Sequence, residues 1–157
     1  MPSFQIVGLA PAPFEPLFAL PDDALAARGI RRVRAAAGTG YPCRVSLADA
    51  DAGDELLLLP FEHQPQNSPY RASGPIYVKA GARQRTMAVG AVPESVRRRQ
   101  ISLRAYDADH LIVDAEVCDG EAVAAEIERL FGNPLVRYLH LHNAKRGCYS
   151  CLVRRAP

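Results

Sequence analysis

The sequence predicts an α+β fold: a mainly antiparallel sheet of hairpins, with one principal helix at about residues 121–131 packed on one face. Three observations carry this. Ile101 to Tyr106 alternates apolar and polar side chains, Asp107-Ala108-Asp109-His110 has turn chemistry, and Leu111 to Val117 alternates again, which is the pattern of a β-hairpin. The period then changes: Val123, Ile127, Leu130 and Phe131 recur at helical spacing between Asp119-Gly120 and Gly132. Pro134 blocks continuation, and a second hairpin follows, with strands Leu135 to Leu141 and Cys148 to Val153 around a turn at Asn143 to Gly147.

In the first hairpin Ile101, Leu103 and Ala105 are expected on the core face, joined by Leu111, Val113, Ala115 and Val117. The segment from Val117 to Leu135 is long enough for a right-handed parallel crossover. Upstream, Ser3 to Leu9 reads as a first strand, and Asp22 to Arg28 as a short helix capped by Asp22 and ended by Gly29. Ile30 to Ala36 reads as a strand and Gly38-Thr39-Gly40 as a loop. Arg44 to Ala48 and Glu55 to Phe61 read as strands joined by a turn at Asp49 to Asp54. Leu56 to Leu59 is apolar on both faces, so that strand is expected to be covered on both sides. Pro65 to Pro75 reads as a proline-rich loop, Ile76 to Lys79 as a short strand, Gly81 to Gly90 as a loop, and Pro93 as the start of a short helix.

The 157 residues suit one domain, with residues 1–40 the less readable part and 40–154 the core. A chain of this length buries enough surface to fold without disulfide or metal staples. The formal net charge of +2 gives no electrostatic case for nucleic acid or an anionic membrane. Met1 to Gln5 lacks a basic n-region, and no apolar run approaches the length of a membrane helix. Four cysteines fit reduced thiols, so a cytoplasmic location is expected, with a periplasmic product lacking its leader as the other reading. Oligomeric state is not fixed by any of these features.

Several motifs occur in a set order: Gly40-Tyr41-Pro42-Cys43-Arg44, residues 57–63, Ser68 to Pro75, Leu103 to Asp107, and His140 to Cys148. Together they resemble a bacterial family known as domain of unknown function 1203, over roughly residues 40 to 154. The resemblance implies a bacterial origin. It implies no established activity and assigns no catalytic residue.

Four groups of residues carry chemistry. Arg44, Arg71, Arg104 and Arg146 each offer a planar fork of donors for carboxylate or phosphate. Arg71 has Tyr70 and Ser73 beside it, Arg104 has Tyr106 two residues on, and Asn143 precedes Arg146. The plain alternative is that these arginines pair with nearby acids and tie loops to the sheet. His140 and His142 point to one face of a strand, about 7 Å apart at Cα. They suit a polar pocket wall, acid–base work, or two of the ligands of a metal ion, with Cys148 or His63 as a third. Two ligands on a strand do not make a metal site, so no stoichiometric ion and no cofactor is expected.

Cys43, next to Arg44, is a candidate nucleophile with His63 or His140 as its base. A buried structural thiol is the plainer reading. Cys148 and Cys151 match a redox spacing, but in a strand they face opposite ways about 10 Å apart, beyond disulfide reach. No phosphate loop, dinucleotide fingerprint or Gly-x-Ser-x-Gly elbow is present.

The leading expectation is therefore a pocket for a small anionic molecule. Arg44, Tyr70, Arg71, Ser73, Arg104, Tyr106, Asn143 and Arg146 would bind it. Cys43, His63, His140 and His142 would be available if a reaction occurs, a point the sequence leaves open. A non-catalytic interaction module and a metal-dependent protein using His140 and His142 are the alternatives.

Overall fold

A computed structural model describes residues 2–38 and 40–157. The expected Gly38-Thr39-Gly40 loop lies partly outside the described residues, at Thr39. In chain order the elements are β1 (Phe4–Val7), a 3-10 turn (Glu15–Ala19), α1 (Asp22–Ala27), β2 (Arg31–Arg34), β3 (Glu55–Gln64), β4 (Ala72–Lys79), α2 (Glu94–Arg97), β5 (Gln100–Tyr106) and β6 (Ile112–Asp119). A second 3-10 turn (Gly120–Ala122) then runs into α3 (Val123–Phe131), followed by β7 (Tyr138–Asn143) and β8 (Tyr149–Arg155). Two antiparallel sheets result: five strands in the order β1-β8-β7-β5-β6, and three in the order β2-β3-β4. Both β6 and β7 run antiparallel to β5, so they are parallel to each other and α3 lies in the crossover between them.

The period change at residue 120 does what the sequence suggests. Val123, Ile127, Leu130 and Phe131 bury the apolar stripe of α3 on Ile101, Leu103 and Ala105 of β5, and on Leu139, Leu141, Cys151 and Val153 of β7 and β8. Alternation then directs the next residues of each strand to the opposite face. There Arg104 pairs across the sheet with His140, Tyr106 with Tyr138, and His142 with Tyr149. That face would be an unusual exterior for so many rings, and the three-stranded sheet covers it. Phe61 packs on Tyr149, and Leu57, Leu59, Ile76 and Val78 join Tyr149 in a second apolar cluster. The leucine run of β3 is covered on both sides, since Leu56 enters a third cluster with Ala35 and Ala50.

Four readings of the sequence need correction. Arg44 to Ala48 is a turn, not a strand: Leu47 has φ of 57°, and its amide donates to Cys43 O at 3.0 Å. Val45 and Leu47 are both buried, but in different clusters, so the alternation that resembled a strand reflects a chain turning between two cores. The loop at Pro65 to Pro75 is shorter, because β4 begins at Ala72. Pro75 is tolerated there because β4 is the edge strand of its sheet, bridged on its outer side at Tyr77, where Cys43 pairs with it, and not at Pro75. In β6 the alternation is real but the face is inverted. Ile101 pairs with Cys118 and Leu103 with Glu116, while Val113 and Val117 are exposed. The register shifts between Ala105 and Tyr106, and one such residue exchanges the two faces of a strand. Arg129 of α3 then lies near Asp114 and Glu116 at 3.6 and 3.8 Å.

Asp22 does not cap α1. Pro21 holds the cap position, and no side-chain cap bond forms. Among the described residues no helix is long and apolar enough to cross a membrane.

Candidate functional site: a buried histidine triad

β7 supplies His140 and His142, two residues apart on the face turned away from α3. β3 supplies His63 from the covering sheet, just where its register against β4 becomes irregular between Phe61 and Gln64. The His63 ring centroid lies 4.9 Å from His142 and 6.2 Å from His140. One nitrogen from each ring lies within 4.8 Å of one from each of the others. Tyr149 of β8 backs all three. It stacks on His63 at 5.6 Å with an interplanar angle of 9°, and meets His140 and His142 edge-on at 5.2 and 5.8 Å.

The hydrogen bonding is unbalanced. His142 Nδ1 lies 2.9 Å from Gly147 O in the β7–β8 turn. A carbonyl only accepts, so Nδ1 carries the proton and Nε2 keeps its lone pair. That Nε2, with His63 Nδ1 and His140 Nδ1, is buried without a hydrogen-bond partner among the described residues. Buried polar atoms are normally paired, and leaving one unpaired costs about 1–3 kcal/mol. The three unpaired atoms lie on three adjacent imidazoles.

Electrostatics fix the charge state. Burial holds His140 down to about 3, with His142, His63 and Arg104 adding to the effect. Burial likewise holds His142 down to about 4, although its bond to Gly147 works the other way. His63, less buried, is also lowered by burial and then by Arg104. All three are therefore neutral near pH 7, the form that ligates metal. Arg104 is half-buried and has no carboxylate partner among the described residues. Burial raises Tyr106, Tyr138 and Tyr149, keeping their hydroxyls protonated. Tyr106 and Tyr138 stack at 5.1 Å beside His140. Gln64 Nε2 donates to Tyr138 Oη at 3.0 Å, and that hydroxyl reaches His110 Nδ1 at 2.7 Å.

The residues singled out in the sequence fall into separate places. His63, His140, His142, Arg104 and Tyr106 gather at the triad, and Tyr70 reaches its rim, 6.2 Å from the Tyr106 ring. Arg71 is exposed and paired with Glu62 at 3.0 Å, and Ser73 is exposed on β4. Cys43 is buried in the second apolar cluster. Its sulfur accepts from the amides of Lys79 and Ser46 at 3.3 and 3.5 Å, and among the described residues no histidine bonds to it. Arg44, Asn143 and Arg146 line a different cavity of about 330 Å³, in which the triad takes no part. All four cysteines are free thiols.

Sequence reasoning missed Tyr138, Tyr149 and Gln64. Tyr138 was within reach, because the alternation that aligns His140 with His142 aligns it too. Tyr149 joins as the cross-strand partner of His142 in the second hairpin, and Gln64 only through the packing of the two sheets.

Fold and site together define an α+β protein of two antiparallel sheets enclosing a buried three-histidine centre. The chain belongs to the family described as protein of unknown function (DUF1203), whose model matches residues 40–155. Every residue of the triad, with Arg104 and Tyr149, falls within that span. No curated protein and no solved structure matches the chain.

Proposed function

We propose that this protein binds a divalent transition-metal ion through His63, His140 and His142 and presents it to a small anionic molecule that Arg104 helps to hold. One observation carries the reading: each of three adjacent, neutral imidazoles has a buried nitrogen with no partner. The reason for expecting no ion was that two histidines on one strand are too few, and His63 supplies the third ligand. A tetrahedral zinc site with bonds of about 2.0–2.1 Å sets its nitrogens about 3.4 Å apart, so ring shifts of about 1 Å close the present spacing.

Three protein ligands leave a fourth position, the arrangement of catalytic rather than structural zinc. The His142–Gly147 bond fits as well, since ligating histidines usually donate their other N–H to an oxygen acceptor. Among the described residues Arg104 has no acid partner, so it suits an anion approaching past His63, the least buried of the three. This keeps the anionic ligand expected from the sequence and keeps Arg104 of the arginines expected to bind it, without Arg71, which pairs with Glu62.

The test is elemental analysis of protein loaded with zinc and freed of excess ion. One zinc per chain is expected, falling to background in His63→Ala and His140→Ala. Zinc retained by both variants, or absent from the parent, would overturn the proposal.

A further inference from the structure

A second site lies where Arg44 meets the β7–β8 turn. Arg44 is 2% exposed, yet among the described residues its guanidinium has no carboxylate partner. Nε donates to Tyr149 O at 2.7 Å, Nη1 to Pro42 O, and Nη2 lies 3.1 Å from Cys148 Sγ. Carbonyl dipoles satisfy donors but do not cancel a unit charge, and a buried charge without a counter-charge is costly. A guanidinium has five N–H groups, so these three contacts leave donors over.

The rest of the cavity has the same sign. Arg98, Arg99, Lys145 and Arg146 also line it, and none of its lining residues is an acid. Two of these cations are balanced from outside. Asp49 holds Arg98 at 3.2 Å and Arg99 at 2.7 Å, and Glu94 holds Arg98 at 2.7 Å. Arg44, Lys145 and Arg146 have no ion pair among the described residues, which leaves three positive charges facing about 330 Å³.

We infer that this cavity is a binding site for an organic phosphomonoester, its phosphate held by Arg44, Lys145 and Arg146 and its organic part against Pro42 and Tyr77. A phosphomonoester carries a charge of about −1.5 to −2 and three acceptor oxygens, which suits three unbalanced cations better than a single carboxylate does. Pro42 and Tyr77 supply an apolar wall, and Tyr41 buttresses Tyr77 edge-on at 5.5 Å. Asn143 adds a polar amide. The site is distinct from the triad, because no histidine lines it and its ligand needs no metal.

Cys148 borders the cavity and is partly exposed, so it reports occupancy. Alkylation of Cys148 in metal-free protein is followed by peptide mass spectrometry at constant ionic strength, with Cys118 as internal control. The probes are phenyl phosphate, inorganic phosphate, acetate and chloride. Protection follows one plus the ratio of ligand to Kd, so about ten times Kd of phenyl phosphate slows Cys148 about tenfold while Cys118 is unchanged. Inorganic phosphate should protect at higher concentration, and acetate no better than chloride. Because Lys145 and Arg146 are exposed, the double variant Lys145→Ala/Arg146→Ala should fold normally and lose the protection. Equal protection by acetate, inorganic phosphate matching or exceeding the ester, or protection surviving in the folded double variant would each overturn the assignment.

Discussion

Zinc is expected to raise the melting temperature by about 8–16 °C, the first of the two largest effects. A ligand that binds only the folded chain stabilises it by RT ln(1 + [L]/Kd), about 4 kcal/mol at a thousand times Kd. For a chain of 150–250 residues each kcal/mol moves the midpoint by about 2–4 °C. The triad suits this coupling because its members come from different sheets: His63 from β3, His140 and His142 from β7. An ion holding all three ties the three-stranded sheet to the five-stranded one, and the unfolded chain does not bring residues 63 and 140 together. Scanning fluorimetry with and without zinc, on the parent and His63→Ala, measures the gain. It should vanish in the variant. A shift of the same size in His63→Ala would mean that zinc acts elsewhere.

The second large effect is acid instability of the metal-free chain. Unfolded, each imidazole takes up its proton near pH 6.5; folded, burial delays this to about 3 for His140 and about 4 for His142. Between those limits the unfolded chain binds more protons than the folded one, so stability falls as pH falls. Above about pH 6.5 the difference disappears. At pH 4.5 each of the two withholds about 2–3 kcal/mol, together comparable with the whole stability of many domains. Burial lowers His63 in the same direction. Urea unfolding at pH 7.5, 6, 5 and 4.5 should show the loss. His140→Phe keeps a ring among Tyr106, Tyr138 and Tyr149, and removes both a titrating group and an unpaired nitrogen. It should flatten the pH profile by nearly half and raise stability at pH 7.5 by about 1–2 kcal/mol. A His140→Phe variant less stable at pH 7.5, with the parent's pH slope, would show that His140 serves the fold and not a site.

How much of this was legible depends on how local each signal is. The helix of residues 121–131 and both hairpins show in the sequence because their periods are set within a few residues. The placement of Arg104 opposite Ile101, Leu103 and Ala105, and of His140 and His142 on one face, follows from alternation alone. Alternation fails where one residue breaks it. The irregularity at Ala105 and Tyr106 turned the expected face of β6 outward, and Leu47 in the left-handed region made a turn of an apparent strand. The union of His63 with the other two histidines is set by how two sheets pack. His63 was thus identifiable as one possible partner of the pair but not as the one the fold brings to it. The same holds for Arg44, whose place against Tyr149 and Cys148 spans more than a hundred residues.

The visible spectrum of the cobalt(II)-loaded protein tests the three-histidine centre most directly, because it reports the ligands and their geometry together. Titrating metal-free protein with cobalt should give an absorption that saturates at one ion per chain, with the intensity of a four- or five-coordinate nitrogen site. It should be abolished in His63→Ala, His140→Ala and His142→Ala and unaffected by Cys148→Ser. A weak spectrum of octahedral cobalt that never saturates, or a thiolate-to-cobalt band that disappears in Cys148→Ser, would contradict a metal centre built from His63, His140 and His142.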